Sequence, residues 1–140
     1  MVPKWNLYFN VLKCKCIHFG TNNPCYSYKI NSNSDINIPV GEDEKDIGVT
    51  FDSTLKFDNH INNKVTKANQ VLGIIKRNFL NVDKCTFCKL YKAMIRPHLE
   101  YCNVIWSPVF KRQSIKIEAV QRRATKIVLP LKDLPYKARV

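Results

Sequence analysis

The sequence predicts an α+β fold in which a small antiparallel sheet is followed by a three-helix bundle. The first observation is that apolar residues alternate with period two in short runs before about residue 55. The second is that apolar residues recur every three or four positions from Phe57 onward, as in amphipathic helices. A chain of 140 residues with 45% hydrophobic side chains is also long and apolar enough to bury a core.

Short strands and turns account for the first part of the chain. Residues 26–30 and 36–40 both alternate with period two, and the turn-rich stretch 31–35 lies between them. This arrangement predicts a β-hairpin. Residues 47–51 predict a further strand, and the acidic residues 42–44 before it are expected in a solvated loop.

Helices account for the rest. The first helix has an apolar stripe of about six turns. The stripe consists of Phe57, Ile61, Val65, Ala68, Leu72, Ile75 and Phe79. A second helix is expected to start near Asp83, a capping residue, and to stop or kink at Pro97. The apolar stretch 99–106 is expected to be buried, and a third helix is predicted over about residues 112–128.

Positive charge is concentrated in the second half of the chain. The whole chain has 23 Lys and Arg against 11 Asp and Glu. Residues 1–63 have a net charge of −1 and residues 64–140 a net charge of +13. This asymmetry favours a polyanionic partner, most often nucleic acid. The alternative is a basic surface that serves solubility alone.

Neither a membrane segment nor a secretion signal is visible. No apolar run approaches the roughly 20 residues that span a bilayer, and the N-terminus has no apolar signal segment. We therefore expect no membrane partner and a cytoplasmic or nuclear location. In that setting the six cysteines are expected to be reduced thiols.

Nine blocks of the sequence carry a family resemblance, and they are residues 5–10, 13–15 with 17–20, 45–52, 55–61, 67–73, 90–93, 96–101, 105–108 and 117–126. In this order they resemble the reverse transcriptases of non-LTR retrotransposons of the jockey-like or CR1-like type. Each block is weak alone, but together they are specific and extend over nearly the whole chain.

This resemblance implies the organisation of the chain and its partners. Residues 1–55 would be the rear of the polymerase palm with primer-grip-like strands, and residues 56–140 the helical, thumb-like region. The complete enzyme of the family is an RNA-directed DNA polymerase that uses Mg²⁺ and deoxynucleoside triphosphates. The implied partners are a template–primer duplex and the N-terminal palm and fingers of the full polymerase.

The catalytic motifs of the family are missing from this sequence. Polymerase chemistry needs carboxylates that hold two metal ions, which the family supplies from an upstream aspartate and a Tyr-x-Asp-Asp turn. Neither motif occurs here. We therefore expect a fragment without catalytic residues or a bound cofactor, inactive as a polymerase on its own. The alternatives are a self-contained basic nucleic-acid-binding module and a non-functional transposon remnant.

Nine residues are candidates for nucleic-acid binding. The resemblance places Lys13 near an incoming nucleotide and the primer grip at residues 47–49, while basic helix faces can follow a phosphate backbone. The candidates are Lys13, Ile47, Gly48, Val49, Lys64, Lys67, Arg122, Arg123 and Lys126. For each lysine or arginine, the alternative is a side chain that only meets solvent.

One cysteine-rich set leaves metal binding open. Cys85, Cys88, His98 and Cys102 superficially fit four zinc ligands. The first two are predicted inside a helix, however, and not on a zinc knuckle. The spacing does not decide whether these four residues bind metal.

Overall fold

A computed structural model describes residues 10–32, 34–79, 81–128 and 134–139. It contains two small antiparallel sheets and several helices, so the predicted α+β class is confirmed. The chain divides into two compact units. We call Met1–Leu55 the strand unit and Lys56–Val140 the helical unit.

The first hairpin of the strand unit joins β1 (Lys29–Ser32) to β2 (Ser34–Asn37). The predicted hairpin is confirmed, but its strands extend into the stretch 31–35, so the turn predicted over those residues is wrong. Backbone hydrogen bonds do not depend on side-chain polarity, so Asn and Ser can continue a ladder as readily as apolar residues. Residue 33, between the two strands, lies outside the described residues.

The second hairpin joins β3 (Asp43–Asp46) to β4 (Val49–Asp52). Two predictions are wrong here, because Asp43 and Glu44 of the acidic stretch lie in a strand and the strand predicted from residue 47 begins at Val49. The φ angles of Ile47 and Gly48 are 45° and 80°, the left-handed values that a two-residue type I′ turn requires. Sequence alternation does not reveal such a turn, because its usual first residue is Asn or Asp.

The first helix of the helical unit, α1, spans Asp58–Asn78 and confirms the longest prediction. Most of the predicted stripe is buried, and His60 is buried beside it. The stripe ends one step early, because Phe79 is exposed. The buried members of the stripe are Phe57, Ile61, Ala68, Leu72 and Ile75.

The second helix begins where the sequence predicts. The Asp83 carboxylate accepts the backbone N–H of Thr86 at 2.9 Å and caps α2 (Lys84–Leu90). A π-helical segment, Tyr91–Ile95, then leads into α3 (Arg96–Glu100), so Pro97 does not stop the helix. Proline lacks an N–H and crowds the preceding turn, and the π-helical turn changes the regular ladder just before it, with the Arg96 N–H bonded to the Tyr91 carbonyl.

The segment after α3 is less buried than predicted. Trp106, at the end of α4 (Asn103–Trp106), is buried, and its Nε1–H donates to the Tyr101 carbonyl at 2.7 Å. Val104 and Ile105 are exposed, so the prediction of a buried stretch is wrong for its middle. A four-residue helix cannot bury all its sides, and the Trp106 indole takes the inward position.

The third predicted helix is α5 (Lys111–Ala124), and a short α6 (Tyr136–Arg139) follows. Helix α5 ends before the predicted limit because a tighter turn succeeds it, with the Ile127 N–H bonded to the Ala124 carbonyl at 3.0 Å. In its described residues, the helical unit has six α-helical segments and one π-helical segment in place of three uninterrupted helices.

Helices α1, α2 and α5, the π-helical segment and α3 share one hydrophobic core. Two further buried residues, Val82 and Val128, lie at the ends of connecting segments. The core residues contributed by these helices are Ala68, Leu72, Ile75, Phe87, Ile95, Leu99, Val120 and Ala124. None of the described helices is long and apolar enough to cross a lipid bilayer.

Candidate nucleic-acid interface

Three side-chain pairs join α1 to α5, and in every pair the partners are 54 positions apart. The pairs are Arg112 Nη2 to Asp58 Oδ2 at 2.7 Å, Lys116 Nζ to Asn62 Oδ1 at 2.7 Å, and Arg123 Nη1 to Asn69 Oδ1 at 3.1 Å. A constant offset means that the two helices run parallel and in register over about three turns. We call these six residues the α1–α5 seam.

A buried glutamine fixes the start of the seam. Gln113 is 1% exposed, and its Nε2 donates to the Lys56 carbonyl at 2.8 Å and to Asp58 Oδ1 at 3.0 Å. Its Oε1 accepts the N–H of Phe110 at 3.2 Å, which satisfies a free donor at the N-terminus of α5. Because one amide side chain binds the N-terminal ends of both helices, it fixes their register.

The carboxylate at this end is held in its charged form. The hydrogen bond from Gln113, followed by the attraction of Arg112, holds the pKa of Asp58 below its ordinary value. Position also favours the anion, because Asp58 lies in the first turn of α1, at the positive end of the helix dipole. Arg112 thus has a fully charged counterion at its end of the seam.

Basic residues far outnumber carboxylates in the helical unit. Residues 56–140 contain 18 Lys and Arg against 5 Asp and Glu. Each of the four carboxylates in the described part of this unit has a nearby partner. These are Asp58 with Arg112, Glu100 with Arg96, Glu118 with Arg122, and Asp83 with the N-terminus of α2. Most of the basic side chains therefore have no carboxylate to offset them within the described part of this unit.

The structure places Arg122, Arg123 and Lys126 differently, although the sequence suggests one shared surface for them. Arg123 belongs to the α1–α5 seam. Arg122 bonds to Glu118 at 3.0 Å, and its guanidinium lies 4.9 Å from the centre of the Tyr136 ring. Lys126 is exposed just beyond the end of α5. Of the three, Arg123 alone is held directly against α1 in the described contacts.

Lys64 and Lys67 lie on a different side of α1. At 100° per residue, they are roughly opposite Asn62 and Asn69 around the helix. The Lys64 ammonium lies 5.5 Å from the centre of the Tyr101 ring, a cation–π distance, and Lys67 is exposed. The basic residues of α1 and the α1–α5 seam therefore face two directions.

The three candidates of the strand unit share the tip of the second hairpin but differ in exposure. Ile47 is 77% exposed in the turn, whereas Val49 is 1% exposed, so its side chain cannot meet a ligand. A β-branched residue with positive φ is strained, and such strain is most often found at functional sites. Ile47 and Gly48 are thus the accessible part of this candidate site.

Lys13 lines an open cavity of about 520 Å³ in the strand unit. Lys15 and Lys45 line it too, together with Glu44 and Asp46. The Lys15 ammonium lies 2.7 Å from Glu44, and this pair raises the pKa of Lys15 and lowers that of Glu44. The cavity wall is therefore mixed in charge, with Lys13 and Lys45 as its further cations.

The described residues do not assemble a metal centre. In the described part of the chain, no three His, Cys, Asp or Glu side chains are grouped so that they could hold a metal ion. Cys85, Cys88, His98 and Cys102 are therefore not brought together, and the six cysteines, all of which are described, are free thiols. The described residues therefore present no group of carboxylates that would fit a bound Mg²⁺ ion.

Comparison with known proteins identifies no similar protein. The chain matches no protein-family model, no curated protein and no solved structure.

Sequence reasoning missed most of the α1–α5 seam. Arg112 and Lys116 lie within the predicted third helix but are not among the nine candidates, and Asn62 and Asn69 have no predicted role. The pairing depends on how two distant helices pack, which no local spacing reveals. The one signal of the seam in the sequence is that its polar residues have the same spacing in both helices, four and then seven positions.

Proposed function

We propose that this chain is the rear-palm and thumb part of a non-LTR retrotransposon reverse transcriptase, and that it contacts a template–primer duplex without carrying the catalytic site. The strand unit would contribute the rear of the palm, and the helical unit the thumb. The resemblance of nine ordered sequence blocks supports the family, and the chemistry of the helical unit supports the ligand.

One observation carries the ligand class. The helical unit has 18 basic and 5 acidic residues, and its described carboxylates are occupied locally. A surface of this kind attracts phosphates through counterion release, which gives affinity without sequence preference. Arginine adds planar donors that match phosphate oxygens.

The accessible hairpin tip is a second support. Ile47, which is 77% exposed, presents an apolar side chain at the hairpin tip, and Gly48 presents backbone beside it in a left-handed turn. Glycine allows close approach of a nucleic-acid backbone because it has no Cβ. In the proposed function this tip contacts the primer strand.

Binding of a fluorescent RNA–DNA heteroduplex by the full chain tests the proposal. The affinity should fall about a thousandfold between about 50 and 200 mM salt if roughly six phosphates are contacted. Replacing Arg122, Arg123 and Lys126 with Ala should reduce the salt slope by up to about two, because Arg122 is already paired with Glu118. The matched control replaces the exposed Lys84, Lys89 and Lys92, which removes the same charge from α2 and the π-helical segment. Binding that is absent, or insensitive to salt, would contradict the proposal.

A self-contained nucleic-acid-binding module is the second candidate, and the separate core of the helical unit favours it. Both candidates bind duplexes, so binding does not separate them. The genomic sequence upstream does: a reading frame with a Tyr-x-Asp-Asp segment supports the polymerase, and a promoter supports the module. A Tyr-x-Asp-Asp frame interrupted by frameshifts would instead identify a transposon remnant.

Loss of catalysis is part of the same proposal. The full chain should not extend a primed RNA template in the presence of Mg²⁺ and deoxynucleoside triphosphates. Chelator-sensitive, template-dependent incorporation by the pure protein would contradict this expectation.

A further inference from the structure

The three cations of the α1–α5 seam have unequal partners. Arg112 bonds to the carboxylate of Asp58, whereas Lys116 and Arg123 bond to the neutral amides of Asn62 and Asn69. All three basic residues are exposed. The geometry of the three contacts is similar, but their electrostatic result is not.

A carboxylate cancels the charge of its partner, and an amide oxygen does not. Lys116 and Arg123 are therefore positioned by hydrogen bonds to uncharged groups and have no direct ion pair in the described contacts, although Asp58 attracts Lys116 at longer range. A free lysine or arginine loses side-chain entropy when it is fixed on a ligand. These two side chains are already partly ordered by their hydrogen bonds, so they lose less entropy when they bind an anion.

Their spacing suits a nucleic-acid strand. Lys116 and Arg123 are seven residues apart on α5, which corresponds to an axial rise of about 10 Å. Successive phosphates of one duplex strand advance by about 3.4 Å along the axis, so this distance spans about three nucleotides. Two cations at this separation can each contact a different phosphate of the same strand.

We infer that Lys116 and Arg123, held by Asn62 and Asn69, are the main phosphate-binding pair of the helical unit. Arg112 contributes little to phosphate binding, because Asp58 neutralises it. This inference rests on the proposed function and names the residues that perform it. The inference also gives the two asparagines a role: they position the basic side chains without neutralising their charge.

Converting the two amides to carboxylates tests this role directly. In Asn62→Asp/Asn69→Asp, each cation keeps a partner at the same place but gains a counterion. The salt slope of duplex binding should fall by about 1.8, or about 0.9 for each contact. The control Asn63→Asp/Gln70→Glu adds the same charge with the same spacing on the same helix. Both control residues are exposed and point away from the core, and their change should lower the slope by less than half as much.

A second pair of variants covers failure of the first to fold. Lys116→Gln/Arg123→Gln should lower the salt slope by about 1.8, and Lys84→Gln/Lys89→Gln by clearly less. Circular dichroism and the urea midpoint verify that each variant is folded. Equal losses in the seam variant and its control would overturn the inference.

The outcomes separate this inference from the proposed function. If the unaltered chain does not bind the heteroduplex, the proposed function itself fails. If the chain binds but seam and control variants weaken it alike, the function stands and the assignment to Lys116 and Arg123 is wrong. Vesicles of anionic lipid serve as a competing probe, and tighter, seam-dependent binding to them would also overturn the assignment.

Discussion

The Nε2 atom of Gln113 lies 3.0 Å from Oδ1 of Asp58, although 55 positions separate the two residues in the sequence. The same Nε2 also donates to the Lys56 carbonyl at 2.8 Å. One buried side chain therefore aligns the first turns of α1 and α5, and the α1–α5 seam begins beside it.

Truncation of this glutamine should destabilise the protein. Gln113→Ala removes the buried hydrogen bonds of this amide to the Lys56 carbonyl and the Phe110 N–H, at a cost of about 1–3 kcal/mol. Urea unfolding measures the change. Gln70→Ala, an exposed glutamine on α1, should stay within about 0.5 kcal/mol of the unaltered chain. Equal effects at the two positions would show that Gln113 does not fix the helix ends.

The lowered pKa of Asp58 makes the stability of the folded protein depend on pH. A carboxyl with a depressed folded pKa stabilises the protein above its unfolded pKa, close to 3.8, and this contribution is lost as the pH falls through the folded value. Asp58→Asn should therefore reduce stability at neutral pH and flatten its decline below about pH 4. Urea midpoints measured from neutral to acidic pH test this. Parallel pH profiles for the two proteins would contradict it.

Two adjacent isoleucines on α1 provide a matched test of the core. Ile75 is 0% exposed and Ile74 is 44% exposed. Ile75→Ala should cost about 2–5 kcal/mol because it removes buried surface and leaves a cavity. Ile74→Ala should cost less than about 1 kcal/mol. A reversed order in denaturant unfolding would mean that α1 is rotated from its described orientation.

The strained turn of the second hairpin should lower the stability of the protein while it increases the affinity for the heteroduplex. Ile47→Asn suits the left-handed conformation of a type I′ turn, so it should stabilise the strand unit by about 1 kcal/mol. It also removes the exposed apolar side chain from the proposed primer contact, so the heteroduplex affinity should fall. Thermal unfolding and heteroduplex titration are the two measurements. Greater stability with unchanged affinity would show that this tip does not touch the duplex.

Much of the helical unit was predictable because its signals are local. The steps of three and four in α1 and the cap at Asp83 follow from side chains within a turn of each other. The π-helical segment and the exposure of Ile105 were missed because they depend on how neighbouring segments pack. In the strand unit, an isoleucine stands where a turn usually has Asn, so the hairpin tip was read as part of a strand.

The candidate site divides in the same way. Arg122, Arg123 and Lys126 are conspicuous in the sequence because they are charged and close together. Asn62 and Asn69 carry no charge and lie far from α5 in the chain, so only tertiary structure reveals them. Whether a basic side chain is paired with a carboxylate or with an amide also depends on tertiary contacts, and the spacing of residues along one helix does not reveal them.

The parallel pairing of α1 with α5 also has a consequence for the order of folding. Helices that follow each other closely can form their contacts early, but each seam contact closes a loop of 54 residues. The entropic cost of closure grows with loop length, and non-local contacts slow folding. We therefore expect α5 to dock last and to detach first in partial unfolding. A duplex bound along the seam would contact both helices at once, and the amide protons of α5 would then exchange with solvent more slowly.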